Sequence, residues 1–159
     1  MKTRARRFGA AIGTVLAMTA VMPLAADAFL LGEWNGKIRQ DQDSFVAFNV
    51  ARTDAGVKRV RDVVFGGLDY SCESDLDGET TGVGLLNKFR VRKREFGGRS
   101  PAVILGFDPP AKLAGKFKPG RRAVGTIRLR GELDPTGQPG VRCDAGVQRW
   151  RATKVPPPG

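Results

Sequence analysis

The sequence predicts an all-β domain, an antiparallel sandwich or flattened barrel of about eight strands held by one disulfide. Three observations carry this expectation. Several short runs alternate apolar and polar residues, the pattern of strands with one buried and one wet face. Clusters of Gly, Pro and Asp interrupt the chain at intervals of roughly 8–15 residues. No window beyond residue 28 sustains the apolar stripe of a helix.

Residues 1–28 read as a cleavable signal peptide. Met1-Lys-Thr-Arg-Ala-Arg-Arg7 is positively charged, Phe8 to Ala26 carries no charge, and Ala26-Asp27-Ala28 supplies the small residues of a cleavage site. Pro23 favours an extended backbone just before it. A retained membrane anchor is the competing reading for an apolar run of about 19 residues. Gly9, Gly13, Thr14 and Thr19 dilute that run, however, and the small-residue site ends it. Arg6-Arg7-Phe8 leaves the general and twin-arginine export routes both open. The working protein is therefore expected to be secreted, extracellular or periplasmic, with no transmembrane helix after cleavage. Four of the 27 basic residues and one of the 16 acids lie in the leader, so the net charge falls from +11 to about +8.

Residues 29–154 suffice for one ordinary domain and are too few for two. Within them, Trp34 and Ile38 alternate with Glu33, Asn35, Lys37 and Arg39. Val46, Phe48 and Val50 alternate with Ala47 and Asn49, and Val63-Val64-Phe65 suits a shorter strand. The run from Ala102 to Phe107 is nearly continuous in apolar and small residues, as in a strand covered on both faces. Ile127 and Leu129 alternate with Arg128 and Arg130, and Trp150 and Ala152 with Arg149 and Arg151. Both tryptophans fall on inward positions. Turns are expected at Asp54-Ala55-Gly56, Asp77-Gly78, Phe96-Gly97-Gly98, Asp108-Pro109-Pro110, Lys118-Pro119-Gly120 and from Asp134-Pro135 to Pro139-Gly140. Residues 155–159, Val155-Pro-Pro-Pro-Gly159, form an extended Pro-rich tail. Sandwich and closed barrel both satisfy this pattern.

Cys72 and Cys143 are the two cysteines. In an exported chain an even pair reads as a disulfide, here closing a loop of about 70 residues with a stabilisation of roughly 4 kcal/mol from loop-closure entropy. A redox or nucleophilic thiol is the alternative, disfavoured by the missing CxxC spacing and the absence of histidine.

At this point the chain resembles a broad group of small secreted bacterial β-domains, largely uncharacterised. The resemblance rests on Gly32-Glu-Trp34-Asn-Gly36, Phe48-Asn-Val50, Cys72, Gly115-Lys-Phe117, Gly125-Thr-Ile-Arg-Leu-Arg-Gly131 and Cys143-Asp-Ala-Gly146-Val-Gln-Arg-Trp150-Arg-Ala152. It covers nearly the whole mature chain and departs at Asn87–Glu95, which is more basic than the group's pattern. It implies a disulfide-pinned β-sandwich and no particular activity.

The function classes thin out quickly. Without histidine there is no Ser-His-Asp or Cys-His nucleophile and no His-containing zinc site. No Gly-rich phosphate loop precedes a helix, and no spacing singles out a carboxylate pair for glycoside cleavage. The protein is expected not to be an enzyme and to need no cofactor. Glu73, Asp75, Asp77 and Glu79, with Gly78, have the alternating oxygens of a calcium loop, but Gly84 stands where the closing glutamate belongs, and a solvated hairpin is the simpler reading.

Lys88, Arg90, Arg92 and Arg94 alternate, so on a strand they would project from one face; Arg128 and Arg130 repeat the pattern, as do Lys37 with Arg39 and Arg149 with Arg151. Such a row repels itself unless acids or an anionic partner lie opposite. The acidic segment around Cys72 could supply the acids; an anionic envelope polymer or lipid headgroups could supply the partner, and arginine suits phosphate and carboxylate. Specific nucleic-acid reading is not expected, because the compartment is wrong and exposed aromatics are few. The expected function is a secreted non-catalytic β-domain binding an anionic envelope or extracellular component through a basic strand face. The alternative is a structural or protein-interaction module with no anion site. The oligomeric state is left open.

Overall fold

Alternating strands must bury one face, and a sheet closed on itself does so without leaving an edge. The computed structural model describes residues 30–38, 43–73, 77–103, 110–132 and 141–157. The leader, Arg39, Asp75, the end of the 102–107 run and the 134–140 turn segment lie outside these residues. The described elements are all strands: β1 (Gly32–Lys37), β2 (Phe45–Arg52), β3 (Lys58–Gly66), β4 (Leu68–Cys72), β5 (Asp77–Thr80), β6 (Val83–Leu85), β7 (Phe89–Arg90), β8 (Glu95–Val103), β9 (Pro110–Lys118), β10 (Arg122–Glu132) and β11 (Arg142–Lys154).

The strand order is β1-β2-β3-β6-β8-β9-β10-β11, every pair antiparallel, and β11 returns to pair with β1 from Trp34↔Lys154 to Lys37↔Arg151. That last pairing closes an eight-strand barrel and settles what alternation had left open. β7 continues along β3 beyond β6, through Arg59↔Arg90 and Val60↔Phe89. β4 and β5 leave the wall as a hairpin that rests on the start of β11.

The interior is filled by side chains. Trp34, Phe48, Phe96, Phe117 and Trp150 pack as one aromatic cluster, with Trp34 stacked on Phe48 at 5.9 Å and Phe96 at 5.0 Å from Phe117. Two glycines make room for these rings. A Cβ on Gly115 would stand 2.3 Å from the Phe96 ring, and one on Gly125 would stand 2.4 Å from Trp150 and 2.0 Å from the Ala114 carbonyl. Each glycine is the register partner of the residue whose ring covers it. The outward positions at mid-barrel include Lys112, Lys116, Arg149 and Arg151, all exposed. Apolar inside and charged outside is the reverse of a lipid-facing barrel.

Several expected elements shift. Phe96-Gly97-Gly98 is no turn but the interior of β8, where Gly97 (φ 140°) and Gly98 (φ 148°) adopt backbone that other residues avoid. A Cβ on Gly97 would lie 2.2 Å from the Leu113 carbonyl, so close strand approach explains the glycine. Asp77-Gly78 likewise belongs to a strand, with Tyr70 lying over Gly78. Ala102 is buried but Val103 is exposed, so this end of β8 has one wet face and is not covered on both. The expected inward residues on β1, β2, β10 and β11 are buried, both tryptophans included, and of Val63-Val64-Phe65 on β3 the outer two are buried and Val64 is exposed.

Two bulges adjust the alternation. Opposite Phe48, β3 carries an extra residue near Asp62 (φ 54°), and β11 carries one near Gly146 (φ 63°) between its pairings with Arg128 and Arg130. The second bulge resets the inward parity from Cys143 and Ala145 to Gln148, Trp150 and Ala152.

Candidate anion-binding surface

Register sorts the basic residues into three places. The first is the side of the barrel formed by β8, β9, β10, β11 and β1. One transverse row there reads Lys37, Arg151, Val124, Lys116, Glu95; the next toward the chain entry reads Asn35, Thr153, Arg122, Lys118. Two further rows read Arg149, Thr126, Ala114 and Val147, Arg128, Lys112, Arg99. Across β10, β11 and β1 this surface sinks into a groove of about 830 Å³. Lys37, Arg122, Arg149 and Arg151 border it, Val124 and Thr126 lie between them, and no acidic residue lines it. Arg122, Arg149 and Arg151 are exposed and have no acidic partner among the described residues.

The second place is the end of the barrel where the chain enters. The sequence pattern anticipated one strand face carrying Lys88, Arg90, Arg92 and Arg94, and the structure overturns this. β7 holds only Phe89–Arg90; Arg92 bridges Glu95, and Lys93-Arg94 form the tip of a tight hairpin. A chain reversing direction cannot keep four side chains on one face. Lys88, Arg90, Arg92 and Arg94 are nonetheless all exposed.

The third place is the opposite end, where Arg128 and Arg130 share Asp144. Arg128 Nη2 donates to Asp144 Oδ2 at 2.6 Å, and Arg130 Nε lies 3.7 Å from the same oxygen. Arg90 through Arg94 therefore do not converge with Arg128 and Arg130, which already have an acid. The bulge at Gly146 turns its N–H onto Asp144 Oδ1 at 2.8 Å. The hydrogen bond from Arg128 is the main reason the Asp144 carboxyl sits below its ordinary range; burial opposes it, and the Gly146 N–H adds to the lowering. On β8 and β9, beyond the groove, the hydrogen bond and charge of Lys116 lower Glu95 in the same way, at 2.6 Å.

A carboxylate whose folded pKa lies below its unfolded value contributes stability that is complete above the ordinary carboxylate range. That contribution is lost as pH falls through the lowered value, so the loss lies on the acid side of about pH 4. We predict that Asp144→Asn flattens part of this acid-limb fall in urea titrations, leaving the share due to Glu95. By releasing Arg128 and Arg130, the same variant should strengthen retention on an anionic resin at low salt.

The acidic hairpin β4–β5 lies at the Arg130 end, with Asp69 directly opposite Glu79 and Glu73 in the turn that follows Cys72. Cys72 and Cys143 are disulfide-bonded, and no free cysteine remains. Of the candidate calcium ligands, Glu73 and Glu79 are exposed, Asp77 opens β5 and Asp75 is outside the described residues. Among the described residues no group of three or more acidic, Cys or His side chains is placed to hold a metal. Nor, among the described residues, does any helix have the length and apolarity to cross a membrane.

Alternation alone missed the Lys37–Arg122–Arg149–Arg151 groove because its members come from three different strands, β1 lying far in sequence from β10 and β11. The signal that could have found it was the repeated outward arginine on late strands. Fold and site together define a closed antiparallel barrel, disulfide-pinned, with a basic groove on its wall. The chain matches no protein-family model, no curated protein and no solved structure.

Proposed function

We propose that this is an exported, non-catalytic β-barrel that binds an anionic envelope or extracellular component through its basic wall. The observation that carries this reading is the groove bordered by Lys37, Arg122, Arg149 and Arg151 with no acid lining it. Guanidinium groups left without acids are poised for bidentate contact with phosphate or carboxylate. The Cys72–Cys143 bridge supports export, since such bonds persist in oxidising compartments. The absence of histidine anywhere in the chain supports a binding role over hydrolysis by the common nucleophile arrangements.

Arg149→Gln and Arg151→Gln test it. Each should weaken binding to heparin, used as a soluble polyanion, by about tenfold at low salt. Melting temperature should hold, because both side chains are exposed. Arg142→Gln, an exposed charge at the far end, should have little effect. Equal losses from all three variants would point to diffuse charge alone. Absence of binding by the unaltered protein would favour the structural or protein-interaction alternative.

A further inference from the structure

Two hairpin tips at the chain-entry end depart from ordinary turn chemistry. A two-residue hairpin loop of type I′ needs positive φ at both central positions, which Asn-Gly supplies with least strain. Here Lys93 (φ 47°) and Arg94 (φ 69°) occupy them, while Arg92 and Glu95 exchange backbone hydrogen bonds of 2.8 and 2.7 Å. In the β9–β10 loop, Gly120 (φ 74°) is followed by Arg121 at φ 56°. Large side chains are uncommon in this region, and conformations of this kind cluster at functional positions. Among the described residues, three of the four non-glycine positions with positive φ are thus cations at hairpin tips.

Backbone hydrogen bonds tie these tips into one rim. Phe117 N donates to the Arg94 carbonyl at 2.8 Å, and Lys154 N to the Arg121 carbonyl at 3.0 Å. Val155 N donates to the Glu33 carbonyl and Val91 N to the Lys58 carbonyl, both at 2.9 Å. Arg92, Lys93, Lys118 and Arg121 are exposed there and form no salt bridge among the described residues; Glu95, the acid beside them, is bound by Lys116 at 2.6 Å and also feels the charges of Lys118 and Lys93. Cations outnumber the exposed acids Glu33, Asp54 and Glu95 at this rim, whereas the opposite end carries the acidic β4–β5 hairpin along with Arg128, Arg130 and Arg142. The described chain also enters β1 at this basic rim, through Leu30 and Leu31.

We propose that this rim docks the barrel end-on against the headgroups of an anionic lipid bilayer. The proposal rests on the anion-binding reading above but uses different residues and names the partner as a membrane surface. A linear polyanion is matched by cations along a wall. Cations on tips around a rim lie across the barrel axis and match a plane. Repulsion of the acidic β4–β5 hairpin at the far end from the same surface sets the orientation.

The test is a variant that improves the turns while removing the charge: Lys93→Asn, Arg94→Gly and Arg121→Gly together. Its melting temperature should equal or exceed that of the unaltered chain, so lost binding cannot be lost fold. Co-sedimentation with vesicles of mixed phosphatidylglycerol and phosphatidylcholine should weaken by about a hundredfold, roughly fivefold per charge. Vesicles of phosphatidylcholine alone should sediment neither protein, and raised salt should release the unaltered chain from anionic vesicles. Heparin binding should fall far less than in the Arg149 and Arg151 variants. Unchanged vesicle binding by the triple variant would overturn the rim. Heparin binding without vesicle binding in the unaltered protein would overturn the membrane partner while leaving the anion-binding wall standing. Binding to neither would sink both.

Discussion

Replacing Cys72 and Cys143 together with alanine should cost about 4 kcal/mol of unfolding free energy, one of the two largest expected effects on stability. The bridge joins residues 71 apart in sequence, so cutting it restores much chain entropy to the unfolded state. It also does local work. β4 meets β11 at only two register pairs, Cys143↔Cys72 and Asp144↔Ser71. Gln148 Nε2 to the Asp69 carbonyl at 2.8 Å and Glu73 N to the Arg142 carbonyl at 2.9 Å complete the attachment. Without the sulfur bond the hairpin should open before the barrel does, giving amides near Leu68–Cys72 faster hydrogen exchange than β9 and β10. Urea unfolding of the variant, and of the unaltered protein under reductant, measures the loss. A loss below about 1 kcal/mol would mean the unfolded chain already keeps these segments together.

The second expected effect separates the two tryptophans. Trp34→Ala should cost about 3–5 kcal/mol, as for other large buried aromatics. Trp34 is fully buried, stacks on Phe48 and lies 4.9 Å from Phe117. Its Nε1 donates to the Leu30 carbonyl at 3.0 Å, which pins the chain entry over the barrel mouth. Trp150 is almost as buried, but its Nε1 has no hydrogen-bond partner among the described residues. Trp34→Phe orphans a buried carbonyl, whereas Trp150→Phe removes an unpartnered donor along with some volume. The first should therefore destabilise more than the second, by roughly 1 kcal/mol or more. Denaturant curves for the two variants decide it; equal losses would mean that volume alone governs the cluster.

Much of the core was legible because burial on a strand is a local property. Trp34, Val46, Phe48, Val50, Ile127, Leu129, Trp150 and Ala152 stand at two-residue spacing on solvated strands, and each is buried. Glycine was harder to read. Gly97-Gly98 has the composition of a turn, yet its smallness serves a strand passing close to its neighbour. Nothing beside it in sequence shows that Leu113 lies opposite. The actual turn fell on Lys93-Arg94, a pair no turn propensity selects.

The charges were misplaced for the same reason. Alternation at Lys88–Arg94 was real as a sequence pattern, but one reversal of the chain moved its residues from a wall to a rim. Arg128 and Arg130 alternate too, and Asp144, brought beside them by the β10–β11 register, takes up their charge.

By itself, the sequence determined the class of fold, the inward residues of most strands and the pairing of the two cysteines. These follow from side-chain solvation at short spacing and from there being one possible partner for each thiol. Only the tertiary structure decided that the sheet closes through β1 and β11, and where the cations gather. Closure and charge placement depend on contacts between residues far apart in the chain, whose register is set by glycines, bulges and ring packing together.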